Sequence, residues 1–445
     1  MKKYLSIMAE VEQWIQRGRY APGSKLPSIR KMANMFQCST STVIRAFAEL
    51  EKNHVIYSIA QSGHYVVEKK KESPKEDKGI DFSAASPDLD IFPYLDFQHC
   101  LNQAIDRYKY NLFTYGDSHG LKALRDVLVS HLWAMQVFTS ADGIFITSGS
   151  QQALMILSTM QFPAEKKTIL VEQPSYDIYL KYLKHENIPM IGIARDETGI
   201  DLNELEYRFK HDNIKFFYTM PRSQNPLGTS YNLEQRKAIA SLAHKYDVYI
   251  VEDDYIADLN QDQRYDPIYT YDQSSHVIYL KSFSKIIFPG LRLGVVVLPE
   301  SLRQRFHAYK KFSDIDTSAL SQAALAIYIK NGMFEKHRYK IRALYAKRME
   351  VLHQCLAPYW RKGLVQSAPV DSGIFKTIKL PVETNLKKLV NELKLSNILV
   401  VPGEGFYLPD YREKVKFIRL SIARAQEEEI AFGVDKIIHY IKRYR

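Results

Sequence analysis

Residues 68–79, EKKKESPKEDKG, contain no apolar side chain except one proline, and they separate two stretches of quite different texture. A run this charged stays solvated and reads as a linker about a dozen residues long. A short segment with helical periodicity precedes it. From Ile80 onward, buried-strand runs alternate with helical stretches. One core cannot serve both, and 445 residues are in any case too many for a single ordinary core.

The charge divides at the same place. Residues 1–78 hold 14 Lys and Arg against 8 Asp and Glu, a net +6, whereas the other 367 residues carry only +5. A small basic head on a nearly neutral body points to a polyanionic partner for the head. Cys38, Cys100 and Cys355 are odd in number and far apart, so neither a disulfide framework nor a metal-ligand set is read from them. The apolar start, MKKYLSIMAE, is broken by Glu10 and Glu12, and no segment approaches the ~20 apolar residues of a membrane span. These features together predict a cytoplasmic protein without membrane contact.

In the head, Leu5, Met8, Val11, Trp14 and Ile15 recur at helical spacing over residues 4–18. Pro22-Gly23 breaks the chain, and Ser28 caps a second helix that buries Ile29, Met32, Ala33 and Phe36. Gln37-Cys38-Ser39 turns into a third helix, about Thr40 to Lys52, with Val43, Phe47 and Leu50 on one face. Two short strands, Val55–Ile59 and His64–Val67, close through Gln61-Ser62-Gly63. This is the order of a winged helix-turn-helix, whose second motif helix enters the major groove by its N-terminal residues. Those residues are Ser39, Thr40, Ser41 and Thr42, with Arg45 one turn on. Their hydroxyls suit phosphates or base edges, and Arg45 suits guanine or the backbone. Arg30 and Lys31 are placed for phosphates, and the hairpin tip with Ser62, Gly63 and His64 for the minor groove.

The body carries one motif of specific chemistry. Ser282-Phe283-Ser284-Lys285 follows an apolar run, and Pro289-Gly290-Leu291-Arg292-Leu293-Gly294 comes just after it. A lysine between hydroxyls, with a fixed cation downstream, suits pyridoxal 5′-phosphate. Lys285 supplies the amine for an imine, and desolvation makes it nucleophilic. The ring nitrogen needs a carboxylate, because only a protonated ring withdraws electrons well. Asp253, in Glu252-Asp253-Asp254-Tyr255 at the end of a buried strand, is the candidate, and Tyr255 would bond the phenolic oxygen. Glu252 and Asp254 must point elsewhere, since strand side chains alternate.

Thr147–Leu154 leaves a strand and opens a helix, offering backbone N–H groups at Ser150 and Gln151 to a phosphate. Ser282 and Arg292 would complete that cup. Tyr176, in Glu172-Gln173-Pro174-Ser175-Tyr176, would stack on the ring, and Asn225 offers a second donor to its phenolic oxygen.

These words resemble known families. LPSIRKMA, STSTVIRAFAEL and SGHYV are similar to the GntR-type winged head over about residues 4–67, with His54 where that family usually has glycine. YGDSHGLKALR, TSGSQQA, EQPSY, QNPLG, VEDDY, SFSK and PGLRLG resemble class I/II aminotransferases of fold type I, in order and spacing, over about residues 80–445. That resemblance implies an α/β body (large part about 100–310, small α+β part about 311–445). It also implies that Tyr115 reaches the phosphate of a partner subunit and that Arg419 clamps a substrate carboxylate. Ser372-Gly373 stands where this family often has two glycines.

The combination resembles the MocR subfamily of bacterial regulators, which implies head-to-tail homodimers on promoter DNA that sense an amino compound, or the cofactor itself, as an aldimine. A working aminotransferase with a DNA-binding head is the alternative, because no residue of the half-reactions is missing.

Overall fold

The computed structural model describes residues 3–21, 23–52, 55–59, 62–67, 79–259, 266–361, 364–367 and 373–444. Pro22, His54, Gln61, Ser372 and all of the charged linker except Gly79 lie outside the described residues. The chain divides into two compact units, Met1–Lys78 and Gly79–Arg445.

The first unit contains α1 (Lys3–Gln16), α2 (Ile29–Met35), α3 (Thr40–Lys52), β1 (Ile56–Ile59) and β2 (Gly63–Val66). The strands pair antiparallel, with Tyr57 opposite Tyr65. Ser28 caps α2 by accepting from the Lys31 N–H at 3.3 Å. Met32, Val43, Ala46, Phe47 and Leu50 meet Ile7, Val11 and Trp14 in one small core. The buried face of α1 is rotated from the expected one: Leu5 is exposed and Ile7 takes its place, while Met8 and Ile15 are only partly covered. Tyr4, Leu5, Ile7 and Met8 crowd one turn, so helical spacing alone admits either face.

The second unit begins with β3 (Ile80–Asp81), α4 (Tyr94–Tyr108), α5 (Lys122–Trp133), β4 (Ile144–Thr147), α6 (Ser150–Thr159), β5 (Thr168–Gln173) and α7 (Asp177–His185). It continues with β6 (Met190–Asp196), β7 (Gly199–Ile200), α8 (Leu202–His211), β8 (Ile214–Thr219), α9 (Leu233–Lys245), β9 (Tyr249–Asp254), β10 (Val277–Ser282) and β11 (Gly294–Val297). After these come α10 (Glu300–Asp314), α11 (Ala319–Lys330), α12 (Met333–Arg361), β12 (Phe375–Lys379) and α13 (Leu386–Leu395). The chain ends with β13 (Ile398–Leu399), β14 (Val401–Pro402), β15 (Phe417–Ser421) and α14 (Glu427–Arg443).

Eight strands form one sheet in the order β4-β11-β10-β9-β8-β5-β6-β7. The central strands β6, β5, β8, β9 and β10 are parallel, and β11 runs antiparallel between β10 and β4. Both faces are buried, as parallel strands require. Leu170, Phe217 and Ile250 belong to one core, while Val171, Phe216 and Val251 belong to the other.

A smaller antiparallel sheet, β12-β15-β14, follows in the C-terminal part. The first strand, β3, pairs with β13, so the start of the body joins its end. Helix α11 packs on α4 and α5 rather than on the small sheet. Among the described residues, no helix is long and apolar enough to cross a membrane.

Candidate functional site

Strands β5, β8, β9 and β10 end side by side at Gln173, Thr219, Asp254 and Ser282. The carboxyl edge of such a sheet is where open α/β folds take ligands. Tyr176, Asn225, Tyr255 and Lys285 all follow within a few residues of these ends. Across β10, β11 and β4, Ser282 pairs with Gly294 and Gly294 with Thr147, which brings the turn before α6 to the same edge.

That turn makes a cup whose free N–H groups suit an anion. Gly149 caps α6 at φ +81°, a conformation natural to glycine. The N–H groups of Ser150 and Gln151 open the helix and lack an intrahelical acceptor. A Cβ on Gly294 would lie 2.7 Å from the Gly149 carbonyl carbon and 2.8 Å from the Ser150 nitrogen, so β11 abuts the turn only as glycine. Arg292 donates to the Ser148 carbonyl at 3.1 Å, with its guanidinium over Gly149. Ser282 Oγ accepts from the Ser284 N–H at 3.2 Å and keeps its own proton to donate. Ser150, Gln151, Ser282 and Arg292 are thus brought to one edge of the sheet.

Asp253 lies at the end of the neighbouring strand β9, near Lys285. Tyr218 donates to its Oδ2 at 2.8 Å, while Oδ1 is buried with no hydrogen-bond partner. Burial pushes this carboxyl up to about 6, against the Tyr218 bond and the Lys285 cation. A buried oxygen without a donor fits a protonated ring nitrogen. Its neighbours turn away as alternation demands. Glu252 accepts from the Ile268 and Tyr269 N–H groups at 2.9 Å each, and Asp254 is held by Arg222 and by Tyr279 at 2.6 Å.

Lys285 makes no hydrogen bond among the described residues. Burial, and then the nearby Arg419, lower its amine to about 8, with Asp253 partly opposing. Gln151 donates to the Tyr176 hydroxyl at 3.1 Å, which links the cup to the stacking residue, and burial pushes Tyr176 up to about 12.

Arg419 is buried, with its face over Phe375 at 4.2 Å. It donates to Asn225 Oδ1 at 2.8 Å and to the Ser83 carbonyl at 2.9 Å. Its Nε is buried and has no partner among the described residues. Three of its five N–H groups therefore remain for a ligand. Asn225 keeps its amide nitrogen as the donor end.

Tyr255 behaves differently from the expectation. The Tyr255 hydroxyl donates to the Ser223 carbonyl at 2.6 Å, so its proton is committed to the backbone rather than offered to a ligand oxygen. Tyr115 is 83% exposed, and no bond joins it to the pocket among the described residues.

Several supporting residues escaped the sequence reading. Besides Tyr218, Gln224 donates to Glu172 at 3.1 Å and to the Pro174 carbonyl at 2.7 Å, joining the loops of Asn225 and Tyr176. Asp314 accepts from Ser148 at 3.2 Å at the cup. No local motif marks these residues, because each acts on a partner far away in sequence.

In the head, Arg30, Lys31, Ser39, Thr40, Ser41 and Arg45 are exposed, and Thr42 is partly so. Ser39 works first as a cap: its Oγ accepts from the Thr42 N–H at 3.3 Å and bonds Ser41 and Thr42 at 2.8 and 2.9 Å. The Arg45 guanidinium stacks over Tyr4 at 4.5 Å, which leaves its N–H edges free. Ser62 bonds the Tyr65 hydroxyl at 2.6 Å, and Gly63 adopts φ +121° in the wing. His64 does not project from the wing as expected. Its ring packs edge-on against Phe47 at 4.7 Å and lies 3.6 Å from Glu51. Lys25 lies beside Gly63 instead and adds a cation that the sequence reading missed.

Known protein families match both parts of this chain. Residues 79–437 match the family Aminotransferase class I and II, and residues 3–66 match Bacterial regulatory proteins, gntR family. An uncharacterized HTH-type transcriptional regulator of Bacillus subtilis, YcxD, is 45% identical over 99% of this chain and 100% of its own length. The regulator NorG of Staphylococcus aureus is 26% identical over 94% of this chain and 100% of its own. Among solved structures, a kynurenine aminotransferase of Pyrococcus horikoshii superposes with a TM-score of 0.75 at 28% identity, covering 82% of this chain and 91% of that one.

Proposed function

Since the chain belongs to the class I and II aminotransferase family and joins that body to a gntR-type head, we propose that it regulates transcription by binding promoter double-stranded DNA through the head and a small amine or amino acid at the Lys285 pocket. The observation that carries this reading is the unspent donor and acceptor set of the pocket among the described residues: Lys285 without a hydrogen bond, Asp253 Oδ1 without a donor, and Arg419 with N–H groups to spare.

Pyridoxal phosphate supplies an aldehyde that condenses with amines and a ring that withdraws electrons. The chain's own residues prepare for it. Ser150, Gln151, Ser282 and Arg292 hold an anion at the helix end. Asp253 would hold a proton on the ring nitrogen. Lys285, with its amine lowered to about 8, holds an unprotonated fraction at neutral pH and can take or return a proton. Arg419 and Asn225, locked together, orient a carboxylate and so favour amino acids over simple amines.

A ligand shifts the DNA-bound state only by its differential affinity for two conformations. The proposed assembly is a head-to-tail dimer in the cytoplasm. Exposed Tyr110, Phe113 and Tyr115 support a partner surface next to the cup. The test is a spectral titration of the full chain with a panel of amines and amino acids, repeated with promoter DNA. A spectral shift whose midpoint moves when DNA is added supports the reading, and DNA binding indifferent to every ligand and to the cofactor counts against it.

The Arg419–Asn225 pair also favours a second reading, a working aminotransferase. Multiple turnover with an amino acid and a keto acid would establish it.

A further inference from the structure

Outside the cofactor pocket, Asp117 and His119 stand two residues apart in the loop before α5, and His307 projects from α10. One ligand atom from each lies within 4.8 Å of the other two. His119 Nδ1 is 3.1 Å from Asp117 Oδ1, and the His119 and His307 rings have centroids 4.5 Å apart. Metal–ligand bonds of about 2.1 Å place neighbouring ligand atoms at about that first separation.

An Asp–His hydrogen bond would explain His119 alone. It leaves His307 unexplained: a partly buried imidazole against a second imidazole, with no hydrogen bond among the described residues. Arg125 approaches the other carboxylate oxygen, Oδ2, at 3.8 Å, so Oδ1 is the atom turned to the histidines.

We propose that Asp117, His119 and His307 bind one divalent transition-metal ion of the zinc type, with the remaining coordination open to water or a further ligand. Two imidazoles and a carboxylate suit zinc and its neighbours rather than calcium or magnesium.

The position gives such an ion leverage. The His119 carbonyl accepts from the Ile146 N–H at 2.9 Å, in the strand that leads into the anion cup. Helix α10 ends at Ser313 and Asp314, which bond Gln152 at 3.1 Å and Ser148 at 3.2 Å in the same cup. An ion between loop and helix would pin both supports of the cup together.

The test uses the untagged full-length chain, stripped with a chelator and titrated with Co²⁺ while its ligand-field absorption is followed. One ion per chain is expected. His307→Gln and Asp117→Asn should each weaken binding at least about 10-fold. Both variants should keep the absorbance of bound cofactor, which reports that they remain folded. Melting temperature should rise with Co²⁺ in the parent chain and not in the variants. Non-saturable binding, or equal affinity in the parent and both variants, overturns the proposal. His119 is left unchanged because it stacks on Phe145 at 4.3 Å, and its loss would disturb packing as well.

Discussion

In the body, Asp253 and Arg419 are buried and Lys285 is half-buried before any ligand arrives, whereas in the head Arg30, Lys31 and Arg45 stand exposed. Burial in the pocket moves Asp253 up to about 6 and Lys285 down to about 8, the directions that make a carboxylate basic and an amine nucleophilic. The head displays its charge without burying it, which suits a polyanion that brings its own field and counterions. Tuning a charge costs stability and yields chemistry; displaying one costs little and yields attraction. A chain of both kinds should therefore respond oppositely to substitution at its two faces.

Lys285→Ala gives the largest contrast. The purified protein should lose the visible absorbance of its bound cofactor entirely, while the isolated DNA contacts of the head are untouched. An unchanged visible band in this variant would remove Lys285 from the site.

Asp253→Asn tests the stability side. The folded carboxyl titrates near 6, above its ordinary 3.8, so the fold holds that proton more tightly than the unfolded chain does. The contribution is fully present below about pH 4 and is lost as pH rises through 6. Without cofactor, Asn should stabilise the chain by on the order of 2 kcal/mol at pH 8, a rise of a few degrees in Tm, and by about half as much at pH 5. The Tyr218 hydroxyl keeps an acceptor in Asn. Melting curves of the cofactor-free chain at the two pH values check this, and a gap that does not widen with pH would mean that Asp253 is already satisfied.

Arg45→Ala probes the other face. Losing one phosphate or base-edge contact should weaken DNA binding about 10-fold and flatten the salt slope by about 1. Cofactor absorbance should not change. A fluorescence-anisotropy titration at several salt concentrations measures both quantities.

The same contrast explains what could be read from sequence. Strands buried on both faces leave long apolar runs, so the sheet and the positions of Asp253 and Lys285 were legible. The opposed directions of Glu252, Asp253 and Asp254 followed from alternation alone. What partners these residues was not legible, because pocket contacts join distant segments: Arg419 meets Ser83, and Asp253 meets Tyr218 on another strand. The Tyr255 hydroxyl was expected to face a ligand, yet a nearby carbonyl takes its proton. In the head the elements were legible through capping and periodicity, but individual side chains were not. Nothing local to Arg45 says that Tyr4 of another helix lies beneath it.

His64 sharpens the point with the smallest effect. Its place at the wing suggests a minor-groove contact. The ring instead packs edge-on against Phe47 and faces Glu51, so it belongs to the head's core edge rather than to its DNA face. His64→Ala should therefore change DNA affinity less than about twofold, since no phosphate contact is lost. It should cost the head about 1 kcal/mol through the lost aromatic contact. Lys25→Ala, beside Gly63 in the wing, should show the reverse: DNA affinity falls by several fold, about one phosphate contact, and stability holds. Anisotropy and thermal melts of the two variants, measured side by side, would separate a residue that builds the wing from one that uses it.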